Sequence, residues 1–177
     1  MIKAEQKAFF HECLCTALVT LMAEKPFDKI SISELCHKAG VSRMAYYRNY
    51  NSKEEILLQH LDECFKGCLA ELRQLQPPTV YDVSVKCFTY IEREPLFFRE
   101  IVNSEFASAL MDKIHEYSKD VMTLLMPDLE VPAYIISHFT GGIYKIVVDW
   151  IKNGMDVSAA ELAELVFRLA SINKQML

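Results

Sequence analysis

The sequence predicts an all-α protein of about nine helices, and three observations predict it. Apolar residues recur three and four positions apart along most of the 177-residue chain, the period of an amphipathic helix. No strand-like alternation survives beyond four residues, and the five glycines and six prolines are too few and too scattered for a protein built on tight turns. Prolines and helix-capping motifs fall at the ends of the periodic segments, where they start and stop helices.

The first helix covers about residues 4–25 on a stripe of Phe10, Leu14, Ala17, Leu18 and Leu21. Pro26 ends it, because proline cannot continue the hydrogen-bond ladder and drives Lys25 out of the α region. Ser31 with Glu34 reads as a capping box opening a short helix to about Lys38, which Gly40 stops by adopting positive φ. Ser42 caps a second short helix, roughly 43–49, and Ser52 with Glu55 is a second capping box opening a long helix to about Gln74. Pro77-Pro78 marks the first linker. Beyond it the periods predict helices near 79–92, 95–103, 105–126, 131–152 and 158–174, punctuated by Pro95, Pro127, Pro132 and Gly154, with Ser158 and Glu161 as a third capping box.

Composition excludes several classes. With 51% hydrophobic and 24% charged residues the chain is globular. Its longest apolar stretch, Ile143–Ile151, is broken by Lys145 and Asp149, so no transmembrane helix and no membrane partner is expected. Lys3, Glu5, Lys7 and Glu12 interrupt the apolar run a secretory signal needs, so a cytoplasmic location is expected. The six cysteines (13, 15, 36, 64, 68 and 87) then read as reduced, mostly buried thiols. The net charge of −5 divides unevenly: residues 1–53 hold eight Lys/Arg against five Asp/Glu, +3, and the remainder is −8. A basic module joined to an acidic body hints at a polyanionic partner.

Ser31 to Lys53 is the informative stretch: a short helix, a tight turn at Ala39-Gly40-Val41, a second short helix, and a lysine at the start of the next. A helix-turn-helix has this economy, since the first helix must brace the second so that its exposed face enters a major groove ~12 Å wide. At about 100° per residue, Tyr46 and Tyr50 share one face of the second helix and would bury against the first. Met44, Tyr47 and Arg48 lie opposite, with Arg43 beside them. That face offers guanidinium groups for guanine or phosphate, a phenol for phosphate and an apolar contact for a thymine methyl. Ser31 and Lys53 stand at helix N-termini, where unpaired backbone N–H groups favour an anion.

The residues from Phe27 to Leu57, FDKISISELCHKAGVSRMAYYRNYNSKEEIL, closely resemble the DNA-binding signature of the TetR family of transcriptional regulators. Ala-Gly-Val-Ser at 39–42, the aromatics at 46, 47 and 50, and Ser52-Lys53-Glu-Glu-Ile carry the match. The resemblance implies a homodimer whose recognition helices enter successive major grooves of double-stranded DNA. It implies Ser31 as a phosphate-contacting cap, Tyr47 and Lys53 as phosphate clamps, and Arg43, Met44 and Ala45 at base-facing positions, beside Ser42 and Arg48. Ala45 departs from the Thr or Ser usual there, so base readout would lean on Arg43 and thymine methyls. The domains expected are a helix-turn-helix DNA-binding domain over 1–51 and a helical dimerisation and effector domain over 52–177. In the latter, Gly141–Met155 followed by Ser158-Ala-Ala-Glu-Leu resembles the C-terminal domain of many Firmicute-type relatives.

The segment 134–151 is apolar nearly all round and must be covered on more than one side. With the last helix it is expected to form a four-helix dimer interface through Ile143, Val147, Trp150, Leu162, Leu165 and Leu169. A ligand pocket is expected near Phe97, Phe106, His115, His138 and Tyr144. The function expected is a sequence-specific regulator on a palindromic operator, by resemblance a repressor relieved by a small ligand. The alternative is a DNA-bound coactivator whose C-terminal domain docks a protein partner, with no small-molecule inducer.

Other chemistry is not expected. His60, Cys64 and Cys68 share one helix face but span ~12 Å, too far for one ion without ligands from elsewhere. Cys13 and Cys15 point apart. No cofactor or metal is implied, and with no Gly-rich phosphate loop, Gly-x-Ser-x-Gly elbow or His-Glu-x-x-His motif the chain does not read as an enzyme.

Overall fold

The computed structural model describes residues 2–75 and 77–174, with side chains from residue 5 to 169. Among the described residues there are nine α-helices and no strand. They are α1 (Ile2–Met22), α2 (Ile32–Ala39), α3 (Arg43–Asn49), α4 (Lys53–Leu72), α5 (Val80–Arg93), α6 (Pro95–Val102), α7 (Ala107–Leu125), α8 (Ala133–Lys152) and α9 (Ala159–Lys174), with a 3₁₀ turn at Phe27–Lys29. The chain divides into two compact units, residues 1–62 and 63–177. The division falls inside α4, where the sequence reading had placed it at the start of that helix. A boundary within a continuous helix leaves no breaker residue to announce it.

In the first unit the stripe of α1 goes inward: Leu14, Ala17, Leu18 and Leu21 are all buried. Leu35 of α2, Tyr46 of α3, and Ile56, Leu57 and Leu61 of α4 are buried in the same unit, where α2 packs on both α1 and α3. Burying a large apolar side chain contributes about 1.5–3 kcal/mol. That tertiary term holds α2 and α3 helical, since helices of eight and seven residues do not persist alone. α1 and α2 are further tied by ion pairs from Lys25 to Glu34 and from Lys38 to Glu24.

In the second unit, α5 lies along α9, and α8 packs on both α6 and α7. The core contains Leu72, Phe88, Phe98, Ile101, Leu110, Val147, Trp150 and Ile151. Trp150 stands edge-on to Phe88 at 5.7 Å, and its Nε1 donates to the Val157 carbonyl at 2.8 Å. Gly154 at φ 76° and Met155 at φ 55° turn the chain out of α8, and Met155 N–H bonds back to the Trp150 carbonyl. Ser158 and Glu161 make the reciprocal cap on α9, as the sequence predicts. Thr79 and Asp82 form a capping box on α5 that the sequence reading missed. α4 and α5 approach closely at Gly67, where a Cβ would stand 3.1 Å from the Tyr90 hydroxyl.

Val147 and Trp150 require a correction. Both were expected at a dimer interface, and both are buried in the protomer's own unit, at 2% and 3% exposure. An all-round apolar helix does not say which stripe is covered internally. The exposed apolar residues are instead Tyr134, Ile135 and Phe139 on α8 and Leu165, Phe167 and Leu169 on α9. Ile143 and Leu162 are half-buried.

Candidate nucleic-acid interface

The turn between α2 and α3 is built by two serines and a glycine. Ser31 and Ser42 adopt extended backbone, and their Oγ atoms accept from Glu34 N at 3.2 Å and Ala45 N at 3.1 Å. Each satisfies one otherwise orphaned donor of a helix start. Gly40 sits at φ 68°, the left-handed conformation that lets its N–H reach back to Cys36 and His37 carbonyls and close α2. Both serines are exposed, and each hydroxyl keeps a proton to donate to an external acceptor.

α3 has two chemically distinct faces. Its inward residues are Tyr46, fully buried, and Tyr50, nearly so. Tyr50 was expected against the first helix of the motif, but its hydroxyl lies 2.6 Å from His11 Nδ1 on α1 and its ring stacks on Phe10. It also donates to Gln59 of α4 at 3.4 Å, so the end of α3 is anchored to both α1 and α4. The Tyr46 hydroxyl is buried with no hydrogen-bond partner among the described residues, and burial pushes its pKa up to about 12.

The outward face carries Arg43, Met44, Tyr47 and Arg48. Met44 is 75% exposed and Tyr47 56%, and both arginines are exposed with no ion pair among the described residues. An exposed apolar methionine beside two unpaired guanidinium groups is what a base-reading surface needs and what an ordinary solvated helix face lacks. Ala45 is half-buried, and its carbonyl accepts from Asn49 Nδ2 at 2.8 Å, which ties up an amide on the same surface.

Lys53 is placed differently from a dangling phosphate clamp. Its Nζ donates to the carbonyls of Phe27 at 2.7 Å and Ile30 at 2.6 Å and sits 4.3 Å from the centre of the Phe27 ring. The ammonium therefore staples the start of α4 to the loop that leads into α2. One of its three N–H groups is left over for an anion. At the same helix start, Glu55 accepts from Asn51 N at 2.9 Å and Asn51 Nδ2 at 3.0 Å, so its carboxylate reaches to the residue before the expected cap.

Sequence comparison agrees with this geometry. The profile for bacterial regulatory proteins of the tetR family matches residues 14–59, and that for a transcriptional regulator C-terminal region matches residues 79–171. The chain belongs to the TetR family of DNA-binding transcriptional regulators. An uncharacterized HTH-type transcriptional regulator of Haemophilus influenzae is 25% identical over 95% of this chain and 88% of its own. Among solved structures, the Listeria innocua protein Lin0861 superposes with a TM-score of 0.76 at 20% identity, over 94% of this chain and 92% of that one. The dihydroxyacetone kinase operon activator DhaS gives 0.69 at 15% identity, over 94% and 97%. A TetR transcriptional regulator of Streptococcus agalactiae gives 0.66 at 17%, over 96% and 97%. At these identities the structural likeness speaks for the fold alone.

The second unit of this TetR-family regulator holds a cavity of about 1130 Å³, walled by residues of α4 to α9. Of the five residues expected at a ligand pocket, only His138 lines it. Phe97 and Phe106 are packed into the core, Phe97 edge-on to Phe98 at 5.2 Å, and it is Phe98 that reaches the cavity. His115 is exposed with its Nδ1 3.4 Å from Thr140 Oγ1, and Tyr144 is half-buried off the lining. Aromatics at helical spacing do not reveal which one borders a void. The polar lining groups are few and include Ser84, Ser118 and Ser137. Among the described residues no helix is long and apolar enough to cross a membrane.

Proposed function

We propose that this regulator works as a homodimer on a two-fold operator, with α3 of each protomer laid in the major groove. The observation that carries this reading is the division of labour on α3: Tyr46 and Tyr50 anchored inward, and Arg43, Met44, Tyr47 and Arg48 turned outward. Arg43 and Met44 read base edges beside Ala45, Tyr47 and Arg48 hold phosphates, and Ser31, Ser42 and Lys53 present donors at the N-terminal ends of α2, α3 and α4. Half-sites are then spaced by about 34–36 Å or a multiple. The dimer face uses Leu165 and Leu169, with Ile143 and Leu162 at its margin, and the exposed Tyr134, Ile135 and Phe139 in place of the two core residues. Six exposed apolar side chains on these two helices offer a partner copy apolar area to bury.

The cavity supports repression relieved by a small ligand. A mostly apolar space with a few serines and a histidine suits an apolar molecule oriented by one or two hydrogen bonds. Relief requires that the ligand bind the DNA-released geometry better, by the coupling free energy. The second reading, activation through a docked protein, is favoured by the same bare apolar residues and by the likeness to DhaS, an operon activator.

The test is fluorescence anisotropy on operator duplexes. Arg43→Ala should lose about 1–3 kcal/mol of discrimination at one base position per half-site while non-specific binding holds. A uniform loss across sequences would reassign Arg43 to the backbone. Sedimentation completes it: a monomer that still binds a palindrome tightly at micromolar concentration overturns the dimeric reading.

A further inference from the structure

We propose that Cys68 and Cys87 form a covalent capture site for apolar electrophiles of the α,β-unsaturated carbonyl class, with Cys87 as the nucleophile. Cys68 on α4 and Cys87 on α5 are free thiols with their Sγ atoms 3.7 Å apart, and both line the cavity of the second unit. The aromatic and aliphatic wall, including Phe65, Phe88, Phe98 and Leu110, suits an alkyl chain. Thr79 at the start of α5 and His138 on α8 also line the cavity and are exposed, and neither belongs to the surface assigned to the dimer, so it opens to solvent and a molecule can enter.

The thiols on this wall are not equivalent. Two thiols in contact lose their first proton easily and their second with difficulty, because the first thiolate accepts the remaining S–H. Here that bond holds the Cys87 thiol below its ordinary value and pushes Cys68 above it, with burial adding to the rise. Cys64, one turn earlier on α4, is pushed up to about 12 by burial and by the Glu94 carboxylate, 3.8 Å away. A thiolate is the nucleophile and a thiol is not, so Cys87, held below its ordinary value and only half-buried where Cys64 and Cys68 are buried, is the sulfur of the three placed to react. At Cys68 the Glu71 carboxylate opposes a charge more than Lys86 favours one, the two being bonded to each other at 2.6 Å.

The step balances without an oxidant. The Cys87 sulfur forms a C–S bond to the β-carbon, the C=C π pair moves onto the enolate, and the α-carbon takes a proton from the Cys68 S–H. Cys68 regains its proton from water, and the net change is addition of S–H across the double bond. Cys87 is the residue that reacts; Cys68 tunes and protonates. For its regulatory meaning the proposal rests on the reading of the cavity as the effector site, whereas capture itself does not.

The experiment treats the full chain with pentyl vinyl ketone and, separately, methyl vinyl ketone, which has the same reactive group without the apolar tail. Intact mass and peptide mapping follow each addition. The first adduct is expected on Cys87, faster with the pentyl ketone, and ahead of the half-buried Cys13 on α1. Cys68→Ala, which removes the S–H that the thiolate accepts, should slow it several-fold, and Cys68→Ser, which keeps a donor, should restore much of the rate. Equal rates at Cys13 and Cys87, equal rates with both ketones, a first adduct on Cys64 or Cys68, or no effect of Cys68→Ala in a variant with an unchanged melt would each overturn the proposal. So would loss of two hydrogens by a Cys68–Cys87 disulfide under hydrogen peroxide with no ketone adduct. An adduct on Cys87 that leaves operator affinity unchanged sinks the effector reading and spares the capture site.

Discussion

Replacing Lys53 with Met removes one charge and two hydrogen bonds while keeping a side chain of similar length. A bond from a charged donor is worth about 1.5–3 kcal/mol, and its loss leaves the partner carbonyl to find water. The two bonds, to Phe27 and Ile30, share one ammonium and so are not additive, and solvent reaches the half-buried group. The contact with the Phe27 ring adds about 0.5–1 kcal/mol at such a site. A net loss of about 2–3 kcal/mol is expected, lowering the melting temperature by on the order of 5–10 °C in a chain of this size. Circular dichroism melts measure it. On operator DNA the same variant should also show a salt slope lower by about 0.9, the share of one phosphate contact. An unchanged melt would refute the staple. An unchanged slope with a lowered melt would confine Lys53 to bracing the motif and leave phosphate binding to Tyr47 and Arg48.

Three further outcomes are expected. Tyr46→Phe removes a buried hydroxyl that has no partner among the described residues, whose burial costs about 1–3 kcal/mol, so urea denaturation should find the variant as stable as the parent or more so; a loss above about 1 kcal/mol would mean the hydroxyl is bonded in solution. Gly40→Ala meets no atom within 4 Å, so its cost should be the left-handed backbone alone, about 1–2 kcal/mol, and a much larger value would point to a hidden clash. Glu71 is held below the ordinary carboxylate value of 4.5, first by Lys86 and then by Tyr90. Its stabilisation is therefore complete above that pH and fades as pH falls through the lower folded value, so Glu71→Gln should be less stable at neutral pH, with the gap to the parent closing in acid; a gap that stays constant would deny the linkage.

Local chemistry was legible in the sequence and long-range pairing was not. Ser42 and Tyr50 bracket α3 at the residues the sequence names, because a cap and a turn are written within a few positions of the helix they bound. The inward turn of Tyr46 and the outward turn of Met44 follow from helical angle alone. Lys53 looked free because the carbonyls it binds lie 26 and 23 residues earlier, a pairing that no window of sequence contains. The thiol pair is hidden in the same way, its members 19 residues apart on different helices. The C-terminal unit was harder still. Its apolar residues satisfy the helical period whether they fill a core, border a cavity or stand at the surface: Trp150 is buried away from the cavity, Phe98 is buried on its wall and Leu165 is exposed.

The two-faced recognition helix has an evolutionary corollary. Substitutions at solvent-facing positions usually shift stability by no more than about 0.5 kcal/mol, so residues 43, 44, 47 and 48 can be exchanged with little penalty to folding. The tyrosines beneath them enjoy no such freedom. On the proposed reading of that face, a lineage built on this scaffold can wander among operators while its architecture stays put, each new preference arising by changing letters on a surface the core never consults.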